Sequence, residues 1–345
     1  MALWLYPRNT SRVFVVAAAL FVSYAYFYQG EGFNQNSRFD LVRAIVEKHT
    51  LRIDAYHENT RDKALVNGHF YSEKAPGLAL TAVPVWVVSR TALQAAHKDT
   101  STGRTVIAER YLATLMTVAL PAAAAAAVVF ILALKLGAST DGAGFAAVTL
   151  GLGTPFWCYS TLFWGHVPAA ACLLFAFAAA CGLREPGSAS RDLWLGIVVG
   201  LGAGWAVVTE FPSLPPSAIL ASLALAHVWP GGGTRLFRVA TGIAIGALPC
   251  VLVLMIHNAI GFGSPFSIGY TYNVMAPSTL TLEQRRGLMG VTYPKAHVLR
   301  EILVGQYRGL LPLAPVLAAA PFGLWLLFTL PNRPLSDQAE AWQLA

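Results

Sequence analysis

Charge is scarce in this chain: Asp, Glu, Lys and Arg make up only 12% of its 345 residues, where a soluble domain carries about a quarter. Hydrophobic residues reach 56% and mean hydropathy is +0.55. A soluble fold of this length cannot hide so much apolar surface, whereas lipid accepts it as solvent. Cysteine is scarce as well. Cys158, Cys172, Cys181 and Cys250 lie in or beside apolar runs without CxxC spacing, which argues against a thiolate metal site or a redox pair and for small packing residues. A basic cluster interleaved with aromatics is missing despite a net charge of +7, which argues against nucleic acid as a partner. The excess charge is instead a topology signal, because Lys and Arg collect in cytoplasmic loops. Internal repeats, low-complexity tracts and a separate soluble domain are absent too.

Long apolar runs recur near 12–29, 111–135, 142–157, 160–183, 193–209, 214–229, 236–260 and 308–330. Each supplies most of the ~20 residues of a spanning helix. The expected fold is an all-α polytopic membrane protein: one transmembrane domain over 1–331, with about 8–9 spans and a flexible tail over 332–345. The first run, Val13 to Tyr28, follows Arg8 and Arg12 and ends in Tyr24, Tyr26, Phe27 and Tyr28 without a small-residue cleavage site. It reads as a retained span with a cytoplasmic N-terminus, anchored by an aromatic belt. In 78–96, the purely apolar part (Leu78 to Val88) is short and contains Pro84, and Arg90, Gln94 and His97 follow. Such a run is expected to lie in the interface or to re-enter rather than to cross. That choice puts Lys135 and the pairs Arg184/Arg191 and Arg235/Arg238 inside, as the positive-inside rule prefers.

Two stretches, 30–77 and 261–307, are too polar for lipid and form two long external loops. In the first, Arg38 to His49 reads as an amphipathic helix, with Phe39, Val42, Ile45 and Val46 on one face, lying flat on the membrane surface. A dense polar segment follows, Arg52 to Lys63, and leads into Gly68 to Gly77. Carboxylates there can serve as a base or hold a divalent cation, and Lys74 can meet a phosphate as a point charge. A solvated loop whose charges pair with one another explains the segment equally well.

The run Asn67-Gly68-His69-Phe70-Tyr71-Ser72-Glu73-Lys74-Ala75-Pro76, after a long first loop bearing an acidic, arginine-containing helix, resembles the C-type membrane glycosyltransferases (GT-C fold). The branch it is most similar to is that of the protein O-mannosyltransferases and aminoarabinose transferases. Gly196 to Pro212 is similar to the Gly-rich helix of that branch. The resemblance implies a GT-C-like bundle, a polyprenyl-phosphate-linked sugar donor and transfer at the external face of a bacterial-type plasma membrane. It also implies an Asp-Glu-x-Arg-Tyr motif carrying the catalytic acid. The matching stretch is Gln35-Asn36-Ser37-Arg38-Phe39, in which both acids are amides. Another acid must then serve, Asp54 first, then Asp40 and Asp62, or the chain is a degenerate, shortened member that does not catalyse.

Further candidates for substrate contact are Arg38, Tyr71, Glu73, Lys74, His166, Glu210 and Arg308. An acid at a helix end in a membrane protein, such as Glu210, is a functional candidate, although a solvated loop acid explains it equally well. His166 reads as an interfacial anchor or as the lining of a polar cavity. Arg308 reads as a phosphate contact or a snorkelling arginine. The expected function is sugar transfer from a polyprenyl-phosphate donor. The rivals are a lipid-binding or transport protein without catalysis, and a structural subunit of an envelope complex. Reporter fusions at Gly68 and Gly287 are expected to report the external side, and one at Gly187 the cytoplasm. Opposite sides for 68 and 287 would break the single-face arrangement.

Overall fold

The computed structural model describes residues 7–100, 102–274, 293, 295–307 and 309–329. It is mostly helical, as expected for an all-α protein, with one small hairpin. Among the described residues five helices are long and apolar enough to cross a membrane: Gly77–Ala95, Gly103–Lys135, Ala189–Thr209, Phe211–Gly231 and Gly233–Phe262. The run near 12–29 gives a 20-residue helix, Pro7–Tyr26, and the remaining apolar runs give shorter ones. The run near 142–157 becomes Thr140–Leu152 and a second short helix, Phe156–Ser160. The run near 308–330 breaks into Leu310–Leu313, Pro315–Ala319 and Ala320–Thr329.

The chain divides into two compact units. One draws on Met1–Tyr26, Ala122–Ser160 and Thr292–Ala345, the other on Phe27–Pro121 and Thr161–Val291. In the first, α1 (Pro7–Tyr26) packs on Thr140–Leu152. Tyr24 donates to the Gly151 carbonyl at 3.2 Å, and Trp157 donates to Ser23 at 3.1 Å. Polar groups thus pair inside an otherwise apolar contact, as water-poor surroundings require.

The second unit is built around α8 (His166–Gly182), α9 (Ala189–Thr209), α10 (Leu214–Val228) and α11 (Gly233–Phe262), with α9 packed against the other three. Two small-xxx-small pairs set the α9–α11 contact. A Cβ on Gly196 would lie 2.7 Å from the Val239 carbonyl, and one on Gly200 would overlap the Ile243 carbonyl. Reciprocally, a Cβ on Gly242 would meet the Leu193 carbonyl and one on Gly246 the Ile197 carbonyl. Backbone therefore rests on backbone, the contact that holds helices together where lipid supplies no hydrophobic drive. Large apolar side chains on the other faces, among them Trp194, Ile219, Phe237, Leu248 and Ile256, are exposed, as lipid-facing residues are.

At one end of this bundle Arg235 binds both oxygens of buried Asp192 (2.8 and 3.2 Å) and the Leu183 carbonyl (2.9 Å). Arg191 donates to the Gly182 carbonyl at 2.6 Å. The end of α8 and the starts of α9 and α11 therefore carry the arginines, while the start of α8 and the ends of α9 and α11 lie at the other end.

Two expectations change. The helix expected to lie flat on the membrane is α2 (Phe33–Lys48), and it is packed on both faces: Gln35, Ser37, Arg38 and Asp40 are buried together with Phe39, Leu41 and Val42. It lies alongside α3 (Gly77–Ala95), and Gln35, Ser37 and Arg38 find hydrogen-bond partners in Phe163, Asp62, Ser72, Ala75 and Glu210, which makes their burial tolerable. α3 itself is an uninterrupted helix through Pro84, longer than the short apolar run suggested. Arg90 stays within it because Glu109 (2.8 Å) and Glu47 (2.8 Å) neutralise it. Length and composition now suffice for a crossing.

A bulky side chain on the α9–α11 seam must separate the two backbones. Gly200→Val is expected to destabilise the protein by about 1–3 kcal/mol, the usual range for overpacking, while Gly233→Val, which meets open space, changes little. Thermal unfolding in detergent distinguishes them.

Candidate functional site

The first polar loop is organised by a hairpin, β1 (Lys63–Val66) and β2 (His69–Ser72), paired antiparallel with Val66 opposite His69. Asn67 and Gly68 both have positive φ (51° and 79°), so Asn-Gly forms the two-residue turn that matches strand twist. The second polar loop adds to the hairpin: Asn273 bridges to Ala64, and the Val274 amide donates to the Lys63 carbonyl at 3.2 Å. The two loops expected on one face therefore meet through backbone.

Two charged networks lie where these loops reach the ends of α8 and α9. In one, Arg38 uses its whole guanidinium. It donates to Glu210 Oε1 at 2.6 Å, to the Ala75 carbonyl at 3.2 Å and to Asn34 Oδ1 at 3.1 Å. Arg38 is 2% exposed and Glu210 8%, so neither charge has water to fall back on. His166, the first residue of α8, places Nδ1 3.5 Å from the same Glu210 oxygen. Gly165 makes this approach feasible, because a Cβ there would overlap the Glu210 carboxylate.

In the other network Lys74 Nζ contacts Glu73 at 2.7 Å and Asp62 at 3.0 Å and lies 5.4 Å from the centre of the Tyr270 ring. Asn273 donates to the second Glu73 oxygen, and Tyr270 meets Phe211 edge to face. Burial pushes the Glu73 carboxyl up, outweighing Lys74. Burial alone would lower the Lys74 ammonium, but Glu73, Tyr270 and Asp62 together hold it above its ordinary value. Burial also raises the Tyr270 phenol. Ser37 joins loop to helix, donating to the Asp62 carbonyl at 2.5 Å and sharing a hydrogen bond with Ser72 at 2.8 Å.

The structure thus gathers six of the expected residues: Arg38, Glu210 and His166 in one set, Asp62, Glu73 and Lys74 in the other. Tyr71 is buried against Phe262 (6.0 Å between ring centres) and supports the hairpin. Asp54 stands at the turn end of the hairpin, accepting from the Phe70 amide at 2.6 Å and facing His69 Nδ1 at 2.8 Å. It braces β2, and Lys74 stands beyond the other end of that strand. Asp40 is completely buried; Asn59 donates to one oxygen at 3.1 Å, and the other has no hydrogen-bond partner among the described residues. Arg308 lies outside the described residues. Of the displaced motif, Gln35 accepts from the Phe163 amide at 3.1 Å and Asn36 donates to the Asn59 carbonyl at 2.9 Å. Asn273 carried no signal in its loop, whereas Asn-Gly at 67–68 is a hairpin-turn pair that the all-α expectation passed over.

Among the described residues no three His, Cys, Asp or Glu side chains gather closely enough to hold a metal ion. A groove of about 650 Å³ lined by Leu225, Trp229 and Leu236 is apolar and belongs to the arginine-bearing end of the bundle, away from the charged networks.

Burial pushes the Asp40 carboxyl from 3.8 up to about 7, against the opposing pull of Asn59, Arg110, Arg43 and Lys63. A folded state that binds the proton more tightly than the unfolded chain loses stability as pH rises through that window and levels off above it. Asp40→Asn is expected to flatten this fall and to be more stable than wild type at pH 8, by up to about 4 kcal/mol at ~1.4 kcal/mol per unit. Chemical unfolding of both proteins at pH 4.5 and 8 checks it.

Comparison of the chain with protein-family models, with curated proteins and with solved structures finds no match.

Proposed function

We propose that the chain is a membrane glycosyltransferase that moves a sugar from a polyprenyl-phosphate donor to an acceptor hydroxyl at the external face. The observation that carries this reading is the position of the segment on which the resemblance rests. Tyr71 and Glu73 are buried and the Lys74 side chain is only 10% exposed. Lys74 meets Glu73, Asp62 and Tyr270, and Arg38, held by Glu210, binds the carbonyl of the next residue, Ala75. Buried ionisable groups brought together from distant parts of a membrane protein mark functional sites. The arginine-bearing end of the bundle then faces the cytoplasm, and the charged networks lie at the opposite face. In this reading α3 lies beside α2 rather than across the bilayer. α2 starts at Glu210 and reaches Arg90 at its far end, covering α3 with a helix too polar for lipid.

The departing phosphate needs positive charge as the sugar–phosphate bond breaks. Lys74 supplies it by exchanging one carboxylate partner for the phosphate. Arg38 stays on Glu210 and fixes the loop.

Purified protein in liposomes, offered a panel of radiolabelled undecaprenyl-phosphate hexoses and pentoses with an acceptor mixture, is expected to consume one donor. Lys74→Ala should abolish donor binding while the protein still inserts, and Lys74→Arg should keep part of it. Tight binding of undecaprenyl phosphate without turnover of any sugar would instead establish the lipid-binding reading.

A further inference from the structure

The acids that could deprotonate an acceptor are largely committed elsewhere. Glu73 and Asp62 hold Lys74, Asp54 braces the hairpin, and Asp40 is wholly enclosed. The His166 side chain is 48% exposed, yet its Nδ1 faces a Glu210 carboxylate that is 10% exposed. Arg38 keeps that carboxylate from turning away, and the missing Cβ of Gly165 lets it sit at the start of α8, where the helix amides favour a negative charge. The Trp164 ring meets the imidazole edge to face at 5.4 Å and limits its rotation. An imidazole whose Nδ1–H points at a buried carboxylate presents Nε2 as the proton acceptor.

We propose that His166, oriented by Glu210, is the group that takes the acceptor's proton, in the place of the first-loop acid that has become an amide. The proposal rests on the transferase reading above. In the step, the acceptor O–H bond breaks and its proton goes to Nε2. The acceptor oxygen bonds to the anomeric carbon, and the bond from that carbon to the donor phosphate oxygen breaks, its electron pair leaving with the polyprenyl phosphate. Glu210 stabilises the imidazolium that forms, and the 3.5 Å separation shortens as charge develops. Burial disfavours the imidazolium most; among the described residues Glu210 favours it, and Arg38 and Lys74 oppose it.

Two readouts test it on the full-length protein. The first is transfer from whichever undecaprenyl-phosphate sugar the wild type uses. His166→Gln should lower turnover by ~10²–10⁴-fold with KM for the donor unchanged, and should lose the rise in rate with pH that a neutral imidazole imposes. The second needs no donor: carbethoxylation of His166 by diethylpyrocarbonate, followed by mass spectrometry against pH. Glu210→Gln, which keeps a hydrogen bond to Arg38, should lower the midpoint by removing the charge that stabilises the imidazolium. Gly165→Ala, which displaces the same carboxylate, should lower it too. Equal turnover and pH profiles for wild type and His166→Gln would overturn the proposal and leave the transferase reading standing. A midpoint indifferent to both Glu210→Gln and Gly165→Ala would overturn the coupled pair whatever the transfer assay gives. A wild type that turns over no donor while the midpoint still depends on Glu210 would overturn the transferase reading, and with it the catalytic role of His166.

Discussion

The Arg38–Glu210 ion pair is the contact on which the arrangement of this site depends. It joins residues 172 positions apart, one on the helix of the first polar loop and one at the end of a membrane helix. Both are removed from water, so each charge is tolerable only while the other is in place. The guanidinium also holds the Ala75 carbonyl, one residue from Lys74, so the same side chain fixes where the second network begins. With α2 seated in this way, Ser37 reaches Asp62 and Ser72, and the hairpin closes over the end of the bundle.

Much of the fold was legible in residue types and spacing. Apolar runs announced helices, four of them within helices long and apolar enough to cross a membrane, and the scarcity of charge in them made Glu210 and His166 stand out. The arginines at 184/191 and 235/238 marked one end, and Arg191 and Arg235 do lie at the ends of helices that come together there. Other features were hidden because they depend on partners far away in the chain. The run from 78 looked too short because Arg90 seemed to end it, and only Glu47 and Glu109 make that charge acceptable in a continuous helix. The polar face of α2 looked solvated because no local pattern reveals that Glu210 will bury Arg38. Gly196, Gly200, Gly242 and Gly246 were visible as glycines, but their use is defined only by the facing backbone.

The site shows the same limit. Sequence singled out Lys74 as a phosphate contact; the structure surrounds it with Glu73, Asp62 and Tyr270. A buried cation already balanced by acids is a poised charge, available to an anion that displaces one of them. Asp54, first among the acids by its position beside Tyr56 and His57, spends its oxygens on the hairpin. Proximity along a loop says little about which acid faces inward once the loop folds back on itself, and Asp62, the least favoured by its flanking charges, is the one that meets Lys74.

A double-mutant cycle on Arg38 and Glu210 tests this account most directly. Stability in detergent would be measured for wild type, Arg38→Met, Glu210→Met and the double variant. Each single change leaves one buried group without its partner and is expected to destabilise by about 3–5 kcal/mol, whereas the double change removes the mismatch and recovers much of that loss. Additive losses would show that the two charges do not depend on each other and would contradict the placement of the first loop on the end of α9.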